Sequence, residues 1–144
     1  MSDGSLVFFT HNADSTKQTG ALIAKHLIPG DVVCLNGDLG AGKTTLIKGM
    51  VSSLLNIDPL EVTSPTFTYL HIYSNQRKIY HFDLYRFSSS EEFLLAGFDD
   101  FLYQNEICFV EWPDRLPQNL SYSKVCIDIE YLSAEERKIT MRRL

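Results

Sequence analysis

Val32-Val33-Cys34-Leu35-Asn36-Gly37-Asp38-Leu39-Gly40-Ala41-Gly42-Lys43-Thr44-Thr45 is the stretch on which the reading of this 144-residue chain turns. Residues 32–35 are continuously apolar, the pattern of a strand buried on both faces, and such strands belong to parallel sheets. Gly37, Gly40 and Gly42 follow, and from Lys43 onward Leu46, Ile47, Met50, Val51, Leu54 and Leu55 recur at the period of a packed helix. The order is therefore strand, glycine loop, helix. Residues 37–44 satisfy the phosphate-binding pattern Gly-x-x-x-x-Gly-Lys-Ser/Thr at every fixed position. The glycines let the chain curl so that successive backbone N–H groups face phosphate oxygens, and the helix N-terminus adds its partial positive charge. Gly37, Asp38, Leu39, Gly40, Ala41, Gly42, Lys43, Thr44 and Thr45 are accordingly the candidate nucleotide-binding residues. Lys43 would reach the β and γ phosphates, and the Thr44 hydroxyl would ligate Mg²⁺.

On the N-terminal side, residues 6–10 form a short β-type run. Asn12 and Asp14 are candidate caps for a helix over 16–27, with Thr19, Ile23, Ala24 and Leu27 at helical spacing. On the C-terminal side, residues 66–73 and 78–84 flank Ser74-Asn75-Gln76-Arg77 and read as an antiparallel hairpin. Ser88-Ser89-Ser90 with Glu91 and Glu92 opens a helix expected to bury Phe93, Leu94, Leu95 and Phe98. Residues 107–110 are a second wholly apolar run, ended by Glu111-Trp112-Pro113, and 125–131 and 138–144 read as two late strands. The fold class that emerges is α/β: a single P-loop NTPase-type domain over residues 1–144, its central sheet mostly parallel with added antiparallel strands and flanked by helices.

With 44% hydrophobic and 22% charged residues the composition is that of a folded domain, neither disordered nor fibrous. A net charge of −5 repels nucleic acid and anionic lipid, so a bound anion needs a local site. No apolar run approaches the roughly 20 residues of a membrane span, and the first residues lack the pattern of a signal peptide. The expected location is the cytoplasm. Cys34, Cys108 and Cys126 lie in apolar stretches without a CxxC pair and read as buried thiols, and the four histidines have no metal-site spacing.

A P-loop enzyme also needs a carboxylate at the end of a neighbouring strand to hold Mg²⁺, directly or through water, and to orient the attacking water. Asp83 ends Ile79-Tyr80-His81-Phe82, and Glu111 ends Ile107-Cys108-Phe109-Val110. Both are taken into the site as catalytic and Mg²⁺-binding candidates. Thr63-Ser64-Pro65-Thr66 reads either as a strand-entry turn or as a loop whose hydroxyls close on the γ-phosphate. Trp112, the only tryptophan, belongs either to the core or to the site beside Glu111. Arg137, Lys138, Arg142 and Arg143 read as a solvated strand face.

Taken together, these segments resemble the bacterial tRNA threonylcarbamoyladenosine biosynthesis ATPase family, TsaE, also called YjeE. The resemblance covers nearly the whole chain and rests on the glycine loop 37–45, Thr63-Ser64-Pro65-Thr66-Phe67, His81-Phe82-Asp83-Leu84-Tyr85-Arg86, Gly97-Phe98-Asp99-Asp100-Phe101 and Val110-Glu111-Trp112-Pro113. It implies ATP binding with Mg²⁺, slow hydrolysis, and partnership with the TsaD and TsaB proteins, so that tRNA is met only through that complex. It also implies that Thr66 acts near the γ-phosphate, that Asp83 and Glu111 are the acidic pair, and that Trp112 lies close to the nucleotide. Contacts to adenine from residues 16–20 stay open. The rival reading is a small-molecule or nucleoside kinase, with Asp83 activating an acceptor hydroxyl and Arg86 gripping the substrate; a nucleotide-dependent interaction module is a third. A GTPase would show an Asn-Lys-x-Asp base-reading motif, which the chain lacks.

Overall fold

The computed structural model describes residues 4–38 and 40–144. Along the chain run β1 (Leu6–Thr10), α1 (Ala13–Ala24), β2 (Asp31–Asn36), α2 (Lys43–Leu55), β3 (Leu70–Asn75), β4 (Arg77–Asp83), α3 (Ser90–Leu95), β5 (Ile107–Glu111), β6 (Ser123–Tyr131) and β7 (Arg137–Arg143). Short 3₁₀ turns lie at Pro59–Glu61, Phe98–Tyr103 and Pro113–Arg115. The strands hydrogen-bond in the order β1-β7-β6-β2-β5-β4-β3. β6, β2, β5 and β4 are mutually parallel, whereas β7, β1 and β3 join antiparallel at the flanks. The α/β architecture with a mostly parallel centre is the one the apolar runs specify.

Alternation along β2 divides the interior. Val33 and Leu35 point to the face covered by α1 and α2, where they meet Leu46, Ile47, Met50, Phe109 and Ile127. Val32 and Cys34 point to the other face, into a cluster with Tyr80, Phe82, Phe93, Leu102 and Val110. Each fully buried aliphatic or aromatic side chain of this kind contributes about 1.5–3 kcal/mol, and the buried polar residues of the central strands, Asp31, His81, Asp83 and Glu111, each have a hydrogen-bonding partner. All three thiols are buried and free, and burial pushes those of Cys34 and Cys108 up to about 12.

α1 and α2 approach through glycine. A Cβ built on Gly49 collides with the carbonyl oxygen of Lys17, and one on Gly20 would lie 2.5 Å from that of Leu46. Backbone cannot step aside as a flexible side chain can. Gly49→Ala is therefore expected to destabilise the fold by about 1–3 kcal/mol or more, read as a fall in the urea midpoint at constant slope. An unchanged midpoint would refute the close approach.

Several local expectations are corrected. The first helix starts at Ala13, three residues earlier than its apolar spacing suggests, because Asn12 and Ser15 form a reciprocal capping box. Residues 66–69 are not strand: Tyr69 has φ 65°, and the ladder begins at Leu70. The hairpin turns tightly on Gln76, at φ 70°. Leu94 and Leu95 are exposed, since the six-residue α3 lays only Phe93 on the core while Phe98 packs from the following turn. The C-terminal basic residues are not simply solvated. Arg143 pairs with the fully buried Asp31, and Arg142 and Lys138 lie 3.7 and 4.0 Å from Asp128 and Glu130. Burial alone would raise the Asp31 pKa, but Arg143, the Ile28 N–H and the Ser123 hydroxyl outweigh it and hold the carboxyl below its ordinary value.

Candidate functional site

β2 delivers the chain to the glycine loop at the C-terminal edge of the parallel strands, where α/β sheets bind their ligands. Gly40 and Gly42 take φ values of 79° and 108°, a region that L side chains rarely adopt. Gly42 is also the N-cap of α2, and with no side chain to accept from the first-turn N–H groups it leaves them for an anion.

Lys43 is only 6% exposed. Its Nζ donates to the Gly37 carbonyl at 2.5 Å and sits 3.9 Å from the centre of the Trp112 ring. Burial pulls its pKa below the usual lysine value, opposed by the charges of Glu111, Asp83, Asp38 and Asp114. Such a cation gains by meeting an anion. Lys43, Thr44 and Thr45 line a cleft of about 370 Å³ together with Gly40, Gly42, Ser64, Thr66, Asp83, Tyr85, Glu111 and Trp112.

The two carboxylates face this cleft for a reason of register. β4 and β5 are parallel with Asp83 opposite Glu111, so both side chains leave the sheet on the helix-covered face at the same level. Asp83 Oδ2 accepts from the hydroxyls of Ser64 at 2.9 Å and Thr66 at 3.0 Å, and Oδ1 accepts from the Tyr85 N–H at 3.0 Å. Glu111 Oε2 accepts from His81 Nε2 at 2.7 Å. Two carboxylates and a threonine hydroxyl are hard oxygen donors, a set that suits Mg²⁺ completed by phosphate and water. Because Asp83 is already engaged at both oxygens, it suits a water-mediated contact better than a direct one.

The structure thus gathers Gly40, Gly42, Lys43, Thr44, Thr45, Thr66, Asp83, Glu111 and Trp112 around one cleft. Gly37 contributes its carbonyl, Ala41 lines a second cavity of about 270 Å³ behind the loop, and Asp38 is exposed and borders neither. Leu39 lies outside the described residues. Trp112 lines the cleft and also packs against the core cluster of the opposite face; its ring lies 4.9 Å from that of Tyr85, and it holds φ 60° at the strand exit. Arg86 has no ion pair among the described residues; its guanidinium lies 5.3 Å from the Phe67 ring and 5.8 Å from the Tyr69 ring.

Sequence reasoning missed Tyr85, His81 and Arg137 as parts of the site, and took Ser64 only as one hydroxyl of the 63–66 segment. Arg137 Nε donates to the Ala41 carbonyl at 2.8 Å, and its Nη1 donates to the Ser133 carbonyl, tying the β6–β7 turn to the glycine loop. No motif announces that contact, which spans 96 residues of sequence. Ser64, His81 and Tyr85 stood inside quoted motifs, and only the folded chain shows what they touch.

As the only indole, Trp112 reports directly on the cleft. A phosphate that draws Lys43 away removes a cation from the ring face, so Trp112 emission should change saturably on adding ADP or ATP with Mg²⁺. A flat titration under conditions where calorimetry shows saturation would separate the ring from the ligand.

Beyond the geometry, the family model for threonylcarbamoyl adenosine biosynthesis protein TsaE matches residues 10–139. The chain is 36% identical over 132 residues to the tRNA threonylcarbamoyladenosine biosynthesis protein TsaE of Treponema pallidum, covering 92% of this chain and 96% of that one. It is 39% identical over 132 residues to the TsaE protein of Bacillus subtilis, covering 91% and 81%. The crystal structure of YdiB from Bacillus subtilis superposes with a TM-score of 0.70 and 34% identity, over 95% of this chain and 84% of that one. No helix among the described residues is long and apolar enough to cross a membrane. A match across nearly the full chain, in sequence and in fold, places this protein in the TsaE family.

Proposed function

We propose that this protein binds ATP with Mg²⁺ in the cleft beside the glycine loop and hydrolyses it slowly, in support of threonylcarbamoyl modification of tRNA adenosine together with TsaD and TsaB. The observation that carries the reading is the convergence of Lys43, Thr44, Asp83 and Glu111 on one cleft below an uncapped helix N-terminus. Lys43 and the loop N–H groups hold the phosphates, Thr44 and the acidic pair hold the metal, which neutralises charge on the phosphates, and Glu111 takes the proton of the attacking water. Ser64 and Thr66, hydrogen-bonded to Asp83 and lining the same cleft, would offer their hydroxyls to the γ-phosphate. The second cavity shares Gly40, Gly42 and Thr45 with the first and continues between Asn12, Thr16 and Arg137, which suits the adenosine end of the nucleotide.

Slow turnover follows from what lines the cleft. No arginine is among its described residues, and an arginine on the γ-phosphate is worth about 10³–10⁵ in rate when supplied in cis or in trans. The net charge of −5 further assigns tRNA contact to the partners. A kinase reading is disfavoured because both Asp83 oxygens are occupied by protein donors, leaving it poorly placed to take an acceptor proton.

The test compares ATP hydrolysis by this protein alone, with tRNA, and with TsaB and TsaD, while counting tRNA modification cycles. Slow hydrolysis that rises with the partners, and loss of repeated modification cycles with Lys43→Ala, are the expected results. Fast turnover by the isolated chain, or full multiple-turnover modification with Lys43→Ala, would overturn the reading.

A further inference from the structure

His81 is fully buried, and its ring spends its hydrogen-bonding capacity in one place. Nε2 lies 2.7 Å from Glu111 Oε2, whereas Nδ1 has no partner among the described residues. Native cores rarely leave a buried polar atom unpaired, so an imidazole kept there at that cost needs a reason. An ionised carboxylate can only accept, which puts the shared hydrogen on Nε2 and makes His81 the donor.

Register puts the ring where it is. β4 sets His81 opposite Phe109 and Asp83 opposite Glu111, so His81 stands one alternate position behind Asp83 on the same face, diagonal to Glu111. The ring is also walled in. His71 meets it edge-on, with ring centres 6.5 Å apart at an interplanar angle of 88°. His71 Nδ1 is 3.3 Å from the Tyr73 hydroxyl, which in turn accepts from the Thr63 N–H at 3.2 Å. Glu111 itself is 3% exposed and lines the cleft, and no hydrogen bond to its Oε1 is found among the described residues.

We propose that His81 is a positioning residue for hydrolysis. Its Nε2–H pins Oε2 and leaves Oε1 of Glu111 for the attacking water. In the step it serves, the water oxygen bonds to the γ-phosphorus, the β–γ bridging oxygen departs with its electron pair on ADP, and the proton of the water passes to Glu111. The proposal rests on the ATPase reading above and adds to it a side chain that touches neither nucleotide nor water.

The experiment measures kcat and nucleotide affinity for His81→Gln and His81→Leu, each with Glu111 intact and in the Glu111→Gln background. Nucleotide-free crystal structures of the two single variants are solved alongside. Gln can donate from near the Nε2 position, and Leu cannot. His81→Leu should lower kcat about 10–100-fold while the nucleotide Kd stays within about threefold. His81→Gln should recover most of the rate, and in the Glu111→Gln background the Leu change should have no further effect. In the crystals the Glu111 carboxylate should keep its place with Gln and leave it with Leu. If His81→Leu does not fold, His81→Asn, polar but too short to reach Oε2, replaces it with the same expectations. Wild-type turnover in the variant that lacks the donor, an equal loss in both backgrounds, or a Gln variant no better than Leu would each overturn the proposal. A wild-type protein that hydrolyses no ATP overturns the ATPase reading, and the crystallographic position of Glu111 still decides whether His81 sets it.

Discussion

Glu111→Gln is expected to keep the fold and bind Mg-ATP, yet to lose about 10²–10⁴-fold in hydrolysis, the usual worth of a positioned general base. The substitution preserves shape. An amide oxygen can still accept from His81 Nε2, so the buried contact that holds β4 to β5 at this level is retained. What disappears is a charge and a proton acceptor at the end of the most completely buried strand. Asp83 is poorly placed to substitute, because Ser64, Thr66 and the Tyr85 N–H already use most of its acceptor capacity. Asp83→Asn should instead weaken Mg²⁺ dependence and loosen the 63–66 segment, because a single amide oxygen cannot serve both the Ser64 and Thr66 hydroxyls on one side and the Tyr85 N–H on the other. Single-turnover kinetics separate the two. If Glu111→Gln cleaves ATP at the wild-type rate while Asp83→Asn is inactive, the acidic roles are reversed.

The parts of this molecule that the sequence made legible are those where one local pattern meets no competing demand. β2, the glycine loop and α2 could be read because a doubly buried strand, residues that must take positive φ and a helical apolar stripe each leave a distinct signature over a few residues. α2 starts directly after the glycine loop, at Lys43, and ends with its apolar stripe at Leu55. Expectation failed where a long-range contact decided the outcome. Residues 66–69 carry β-type composition, yet the Asp83 carboxylate draws the Thr66 hydroxyl and the Tyr69 carbonyl accepts from the Asp83 N–H, bending the segment toward the cleft. Leu94 and Leu95 looked like core because apolar residues near a cap usually are, but α3 is too short to turn more than Phe93 inward. Arg137 was one of four basic residues with no local mark of difference, and only the packing of the β6–β7 turn on the glycine loop singles it out. For the same reason the candidate carboxylates were visible as strand ends, whereas the donors that give them different characters were not.

Lys43→Ala should weaken nucleotide binding by about 1.5–3 kcal/mol, the worth of one charge-assisted contact to phosphate, or roughly 10- to 150-fold in Kd. In the free protein the ammonium rests between the Gly37 carbonyl and the Trp112 ring, partly desolvated, with its pKa drawn below the ordinary lysine value by burial. Binding exchanges these neutral partners for phosphate oxygens, and the negative charge restores the preference for the protonated form. The sign of the pH dependence follows. Protonated Lys43 is the form that binds, so wild-type affinity should be full at neutral pH and fall as pH rises through the lowered lysine pKa of the free protein. Nucleotide binding in that range should be accompanied by proton uptake. Lys43→Ala should lose both the affinity and this dependence, so the two proteins converge at alkaline pH. Calorimetry in buffers of different ionisation enthalpy measures affinity and proton uptake together. Unchanged affinity in the Ala variant would remove Lys43 from the phosphate site, and an identical pH dependence in both proteins would assign the titration to another group.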